Sequence, residues 1–282
     1  MMLSFTLLKI LYGTTLVGLI SSVVGCFLLL QKKSLLGDTL AHSTLPGIAC
    51  ALLISFKKNM LYLLIGATIS SLLSSSLIEY ILRTTRLKKD AVLGVVLSFM
   101  FGLGVMLLSI IQKHPVAQQA GINNFLLGNA STILLKDLYI ITALAVVICT
   151  IMYCFWKEFI ILTFDAHHAQ HMQMPVKKIQ TLFTITTVLT ILIGLQTVGI
   201  ILMSALLIAP AAAAQQWTNR IQTMMMLSAL FSISATTTGA LLSFYIPKTP
   251  TGPAIVIVST MIAFSSIVYK SYTDGRQQKI SC

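Results

Sequence analysis

Between Ile10 and Leu30 the chain runs 21 residues without a charged side chain, and apolar runs of similar length follow one another as far as residue 270. About 20 apolar residues in a helix cross the hydrocarbon core of a bilayer, and lipid offers the backbone amides no partner except each other. Helix after helix is what such a chain can fold into. Only 9% of its residues are charged and 56% are hydrophobic, where a soluble domain carries about a quarter charged residues. The expectation is an all-α polytopic membrane protein.

Spans are expected at 10–30, 39–56, 60–82, 91–111, 138–163, 179–195, 198–214, 221–245 and 253–270, which makes nine. Eight remain if Gln196-Thr197-Val198-Gly199 fails to separate two of them. The first run exceeds a signal-peptide core and lacks a clear cleavage site, so it is expected to stay as the first span. One domain over 1–282 is expected, with an inner loop at 164–178 and a short cytoplasmic tail at 271–282.

The formal net charge is +12, which in a soluble chain would suggest a nucleic-acid partner. Here the basic residues sit in short clusters between apolar runs: Lys32-Lys33, Arg83 to Lys89, Lys177-Lys178 and Lys270 to Lys279. Loops that stay in the cytoplasm carry such an excess. Placing 83–89 inside puts 31–37, 164–178, 215–220 and the C-terminus inside as well, with the N-terminus outside. Of the 19 Lys and Arg, 13 then fall on the inner side and six on the outer. The basic balance reports orientation, and no nucleic acid is expected.

Small residues, Gly94, Gly102, Gly104 and Ala209 to Ala214, are expected to let helices approach closely. Pro210 should bend or break its helix. Within 112–137, Phe125-Leu126-Leu127 suits a short helix at the interface. Four of the five cysteines lie in apolar runs and none forms C-x-x-C, so buried packing is expected of them.

The chain has seven acidic residues. Asp90 is placed to cap the fourth span; Glu79, Asp137 and Glu158 lie at span ends, and Asp274 lies in the tail. Asp38 and His42, in "GDTLAHSTLPG", are different. Four residues advance a helix by about 6 Å and 400°, which brings both side chains to nearly one face. An oxygen and a nitrogen ligand at that spacing suit a divalent transition metal, yet zinc wants about four ligands and manganese more. Two copies about a twofold axis would supply two Asp and two His. The alternative is that Asp38 caps the second span while His42 meets a backbone carbonyl. His167, His168 and His171 form a second imidazole cluster in the inner loop, where solvated polar residues are the default; His114 precedes Pro115 in an outer loop.

No G-x-x-x-x-G-K-[ST], H-E-x-x-H or G-x-S-x-G occurs, so neither a P-loop ATPase nor a familiar hydrolase is expected. The protein is expected not to be an enzyme. Any energy for transport would come from a partner or from an ion gradient.

"GDTLAHSTLPGIA" resembles the second-span segment of the ABC-3 family, the membrane-spanning permeases of bacterial manganese, zinc and iron ABC importers. "RLKKDAVLGVVLS" (86–98), "FLLGN" (125–129), "FDAHHA" (164–169) and "LQTVGIILMSALLIAPAAAA" (195–214) are similar to further segments of that family, in the same order. The resemblance implies a type II ABC importer-like permease in the bacterial cytoplasmic (inner) membrane. It implies a homodimer with the path at its interface, two cytoplasmic ABC ATPase subunits and an extracytoplasmic metal-binding protein. It places metal at Asp38 and His42 and ATPase coupling at Asp165 and Ala169. No permanently bound cofactor is implied; Mn²⁺, Zn²⁺ or Fe²⁺ is cargo. Departures stand at Gln173, where relatives commonly have Gly, at Gln215, where Arg is frequent, and in the three loop histidines. The rival reading is a stand-alone secondary carrier driven by an ion gradient. It would need acids inside the spans for ion coupling, and the middle of most spans has none. A purely structural membrane subunit is the third reading.

Overall fold

The computed structural model describes residues 2–55, 60–112, 135–197, 199–246 and 249–280, and these residues form eleven helices with no strand among them. In chain order they are α1 (Met2–Leu30), α2 (Ser34–Ser55), α3 (Met60–Thr84), α4 (Lys89–Gln112), α5 (Leu135–Cys154) and α6 (Trp156–Phe164). After them come α7 (Ala166–His171), α8 (Val176–Thr197), α9 (Ile200–Gln215), α10 (Ile221–Tyr245) and α11 (Thr251–Ile280). Over the described residues every expected span falls on helix, apart from Phe155 and Gly199. Six helices, α1, α3, α4, α8, α10 and α11, are long and apolar enough to cross a bilayer, and the α5–α6 pair makes seven if it counts as one span. Of the rest, α2 spends its length on Asp38, His42 and five hydroxyl side chains, and α9 has only 16 residues.

The expected span 138–163 is bent by 66° between Cys154 and Trp156. Neither Pro nor Gly stands there, and aromatic packing holds the bend. Phe159, fully buried, and Trp156 turn edge-on to Phe27 of α1 at centroid distances of 6.1 and 5.7 Å, and Phe183 of α8 closes the group. Such pairs contribute about 0.5–1.5 kcal/mol each beyond burial.

The central cluster draws on α1, α2, α8 and α9 through Phe27, Leu40, Leu192 and Leu206. Backbones meet where glycine removes the side chain: a Cβ on Gly47 of α2 would strike the carbonyl of Gly66 on α3, and one on Gly25 of α1 would strike the carbonyl of Leu207 on α9. The glycines singled out on α4 divide. Gly104 packs on Leu45 and Pro46, but a Cβ on Gly94 or Gly102 would meet nothing within 4 Å among the described residues of one copy. Ala209, Ala211, Ala213 and Ala214 are buried as expected, and Pro210 does not break α9, which stays helical through Gln215. Gly199 separates α8 from α9 at φ 93°, a conformation that suits glycine alone. Of the cysteines in apolar runs only Cys26 is buried; Cys50, Cys149 and Cys154 are exposed, because a helix bathed in lipid can turn an apolar side chain outward at no loss.

The inner loops gather at one end. Gln31 to Lys33, Glu79, Lys89, Gln170 and Lys177 line a single cavity. Trp217 of the 215–220 loop stacks on Tyr269 at 5.4 Å, and its Nε1 donates to Ser266 Oγ. The tail does not leave the bundle loose: α11 continues to Ile280. Asp90 lies inside the first turn of α4 rather than at its cap, since the helix begins at Lys89. Residues 113–134, with His114 and Phe125 to Leu127, lie outside the described residues.

Candidate metal site and coupling loop

Polar contacts fix α2 among its neighbours. Ser70 Oγ and Ser71 Oγ of α3 donate to the carbonyls of Ser43 and Leu40, at 2.6 and 3.3 Å, and Thr39 Oγ1 donates to Leu93 of α4. Thr39, Leu40, Ala41, Ser43 and Thr44 are wholly buried. In that closed stretch Asp38 and His42 are the opening: their side chains keep 32% and 15% of their surface exposed.

Asp38 Oδ1 and His42 Nε2 stand 3.4 Å apart, one turn from each other, as the spacing requires. Ser204 of α9 reaches the Asp38 carboxylate, and Phe101 of α4 meets the imidazole edge-on at 5.1 Å. Among the described residues, His42 Nδ1 is buried without a hydrogen-bond partner. Pro46 acts on the backbone of the same residue. It has no N–H, so the His42 carbonyl, four residues back, loses its helical donor. Asp38 is not the helix cap that the alternative reading offered, since α2 begins four residues earlier at Ser34.

Two ligand atoms each about 2.1 Å from a common ion lie roughly 3.0–3.4 Å apart, depending on geometry. The gap between Oδ1 and Nε2 is of that size, so an ion could sit across it with little rearrangement. Among the described residues no three His, Cys, Asp or Glu side chains of one chain gather around a possible ion.

The other predicted residues shape a turn. Asp165 caps α7, its Oδ1 accepting from the backbone N–H of His168 at 2.8 Å. Ala169 is 1% exposed, in a helix that rests on α6 and α8. Then α7 ends in a Schellman turn: Met174 N–H donates to Ala169 O, Gln173 N–H to Gln170 O, and Gln173 takes φ 56°. That conformation explains why glycine would be at home at 173. His168 and His171 are exposed on the same short helix, and Met172 is exposed just beyond its end.

The ABC 3 transport family profile matches residues 4–270. The chain belongs to that family. It is 41% identical to the zinc transport system membrane protein TroC of Treponema pallidum over 94% of this chain and 89% of that one. It is 37% identical to the manganese transport system membrane protein MntC of Bacillus subtilis, over 92% of this chain and 60% of that protein. Among solved structures, PsaBC from Streptococcus pneumoniae in complex with Fab superposes with a TM-score of 0.81 at 29% identity, covering 93% of this chain and 90% of that one. The ABC 3 permease assignment makes the chain a transport subunit and a multi-pass protein of the cytoplasmic membrane.

Sequence reasoning found Asp38 and His42 but missed their surroundings. Ser204 and Phe101 are brought in by tertiary packing and carry no local signal. Pro46 was readable: a proline four residues after a histidine, inside a helix, removes the N–H that would donate to that histidine's carbonyl.

Proposed function

We propose that this ABC 3 permease forms, as a homodimer, the translocation path of an ATP-driven importer for a divalent transition metal ion, Mn²⁺, Zn²⁺ or Fe²⁺. Two cytoplasmic ATPase subunits act through the 164–178 loop, with Asp165 capping and Ala169 seating the helix they push. An extracytoplasmic metal-binding protein delivers the ion. All of 1–282 serves as one permease domain. The observation that carries the metal role is the Asp38–His42 pair, a carboxylate and an imidazole 3.4 Å apart and partly open on a helix whose neighbouring residues are buried.

One copy offers two ligands, and a twofold axis would offer four. That number is enough to replace part of a hydration shell yet leaves room for waters, so release stays fast. Alternating access then follows from ATP binding and hydrolysis in the partner subunits, which reverse the side on which the dimer is open.

Asp38→Ala and His42→Ala are expected each to abolish metal accumulation in cells, measured by elemental analysis of cultures grown in chelated medium with single-metal rescue. Membrane insertion and subunit assembly should stay intact. Wild-type accumulation in either variant would sink the metal role of the pair.

A further inference from the structure

The cavity at the lysine-bearing end measures about 620 Å³ and opens between α2, α3, α4 and α8. Lys32 and Lys33 reach it from the α1–α2 turn, Lys89 from the start of α4 and Lys177 from the start of α8. Its one acidic wall residue, Glu79, is already paired with Arg83. None of the four ammonium groups has a carboxylate in ion-pair range among the described residues. Burial holds the Lys33 ammonium below the ordinary lysine range, repulsion from Lys89 adds to this, and Glu79 opposes it. Like charges turned toward one half-closed space repel one another until an anion enters.

The lining is graded. Ser75 adds a hydroxyl donor, the hydroxyls of Ser76 and Thr181 donate to the carbonyls of Leu72 and Lys177, and Leu72, Leu82 and Leu162 supply apolar wall. Leu72 lies 12 residues above the end of α3 at Thr84, which is roughly 18 Å up the helix. The space therefore runs from a basic mouth toward the apolar part of the bundle. Basic pockets between membrane helices on the cytoplasmic side take lipid phosphates.

The cavity does not lie on the face proposed for the metal. Leu36 lines it, and Asp38 is two residues on, about 200° around α2. Four ammonium groups would also exclude a divalent cation.

We propose that this cavity binds the phosphate headgroup of an anionic membrane phospholipid, with the acyl chains along the α3 wall. The recognising chemistry is phosphate held by lysine ammonium groups, with the Ser75 hydroxyl beside them. A glycerophosphate with the first carbons of its chains fits a space of this size; a free phosphate ion would leave most of it empty.

The test is the thermal-unfolding midpoint of the detergent-purified permease, titrated with phosphatidylglycerol, phosphatidylcholine or inorganic phosphate. Phosphatidylglycerol should raise the midpoint saturably and the other two should not. Lys33→Gln with Lys89→Gln should weaken phosphatidylglycerol roughly 30-fold, at about fivefold per basic side chain. If the double variant does not fold, Lys89→Gln alone, at an exposed position, should weaken it about fivefold. Lys157→Gln, exposed on α6 and away from the cavity, should change nothing. Equal stabilisation by both lipids, or undiminished affinity in the lysine variants, overturns the proposal. Equal stabilisation by inorganic phosphate overturns the lipid as its source. Metal accumulation is not a readout, so failure here leaves the Asp38–His42 reading to its own test.

Discussion

The turn before α2 and the first turns of α2 carry opposite chemistry within a few residues. Lys33 and Leu36 face a space ringed by ammonium groups, whereas Asp38 and His42 face α4 and α9 with an acid and an imidazole. A single helix could not hold both charges on one face without pairing them: Lys33 and Asp38, on one face, would make a salt bridge. Lys33 stands just before α2, and Asp38 follows five residues on, about 140° around the axis, which leaves each without the other as a partner. One face is left with ligands for a cation, the other with donors for an anion. The difference teaches that charge here is sorted by rotation about the helix axis together with a step of about 7.5 Å along it.

The largest expected effect comes from reversing the sign on the cation face. Asp38→Lys sets an ammonium one turn from His42 in place of a ligand, and metal accumulation should fall to the level of cells lacking the permease. Asp38 is about a third exposed, so its lysine stem can reach out and the protein should still be recovered from membranes. Lys33→Glu reverses the other face. There the phosphatidylglycerol-dependent rise in unfolding midpoint should vanish, while metal accumulation should stay at least tenfold above that of Asp38→Lys. Loss of both readouts in both variants would mean that the two faces do not act separately.

How much of this was legible in the sequence follows from where each signal resides. Membrane spans are local, since a run such as Ile10–Leu30 contains its own evidence, and over the described residues each expected span lies on helix, apart from Phe155 and Gly199. The Asp38–His42 pair is local too, because one turn of helix sets its geometry. The break between Cys154 and Trp156 is not local. It depends on Phe27 and Phe183, which come from α1 and α8, so the run 138–163 reads as one span. The outward turn of Gly94 and Gly102 is likewise decided by which neighbours α4 finds. The lysine cavity assembles residues from four chain segments. The sequence showed the basic clusters as loop charges, and only folding showed that three of those loops share one space.

A middle-sized effect would strike both faces together. The contact of Gly47 with Gly66 sets how closely α2 approaches α3, and so where both the pair and the cavity stand. Gly47→Ala puts a methyl group against the Gly66 carbonyl and should lower stability by about 1–3 kcal/mol, read as a reduced thermal-unfolding midpoint. Phosphatidylglycerol affinity and metal accumulation should fall together. A drop in one alone would show that the α2–α3 contact supports only that face.

The smallest effect separates shape from charge on the basic side. Two turns border the cavity, and both are Schellman turns with a side chain where glycine is most at ease: Lys32 at φ 53°, closed by Lys33 N–H to Leu28 O, and Gln173 at φ 56°. A left-handed residue with a Cβ is destabilised by about 1–2 kcal/mol, and glycine regains part of this against its larger loss of freedom on folding. Gln173→Gly should therefore stabilise by roughly 1 kcal/mol, raising the midpoint by about 2 °C with unchanged phosphatidylglycerol affinity. Lys32→Gly should relieve the same strain and raise the midpoint by a similar amount without lipid. It also removes one ammonium from the cavity, so phosphatidylglycerol should bind it about fivefold more weakly. If both variants bind lipid as the wild type does, Lys32 serves only the turn, and the charge on this side of α2 rests on Lys33, Lys89 and Lys177.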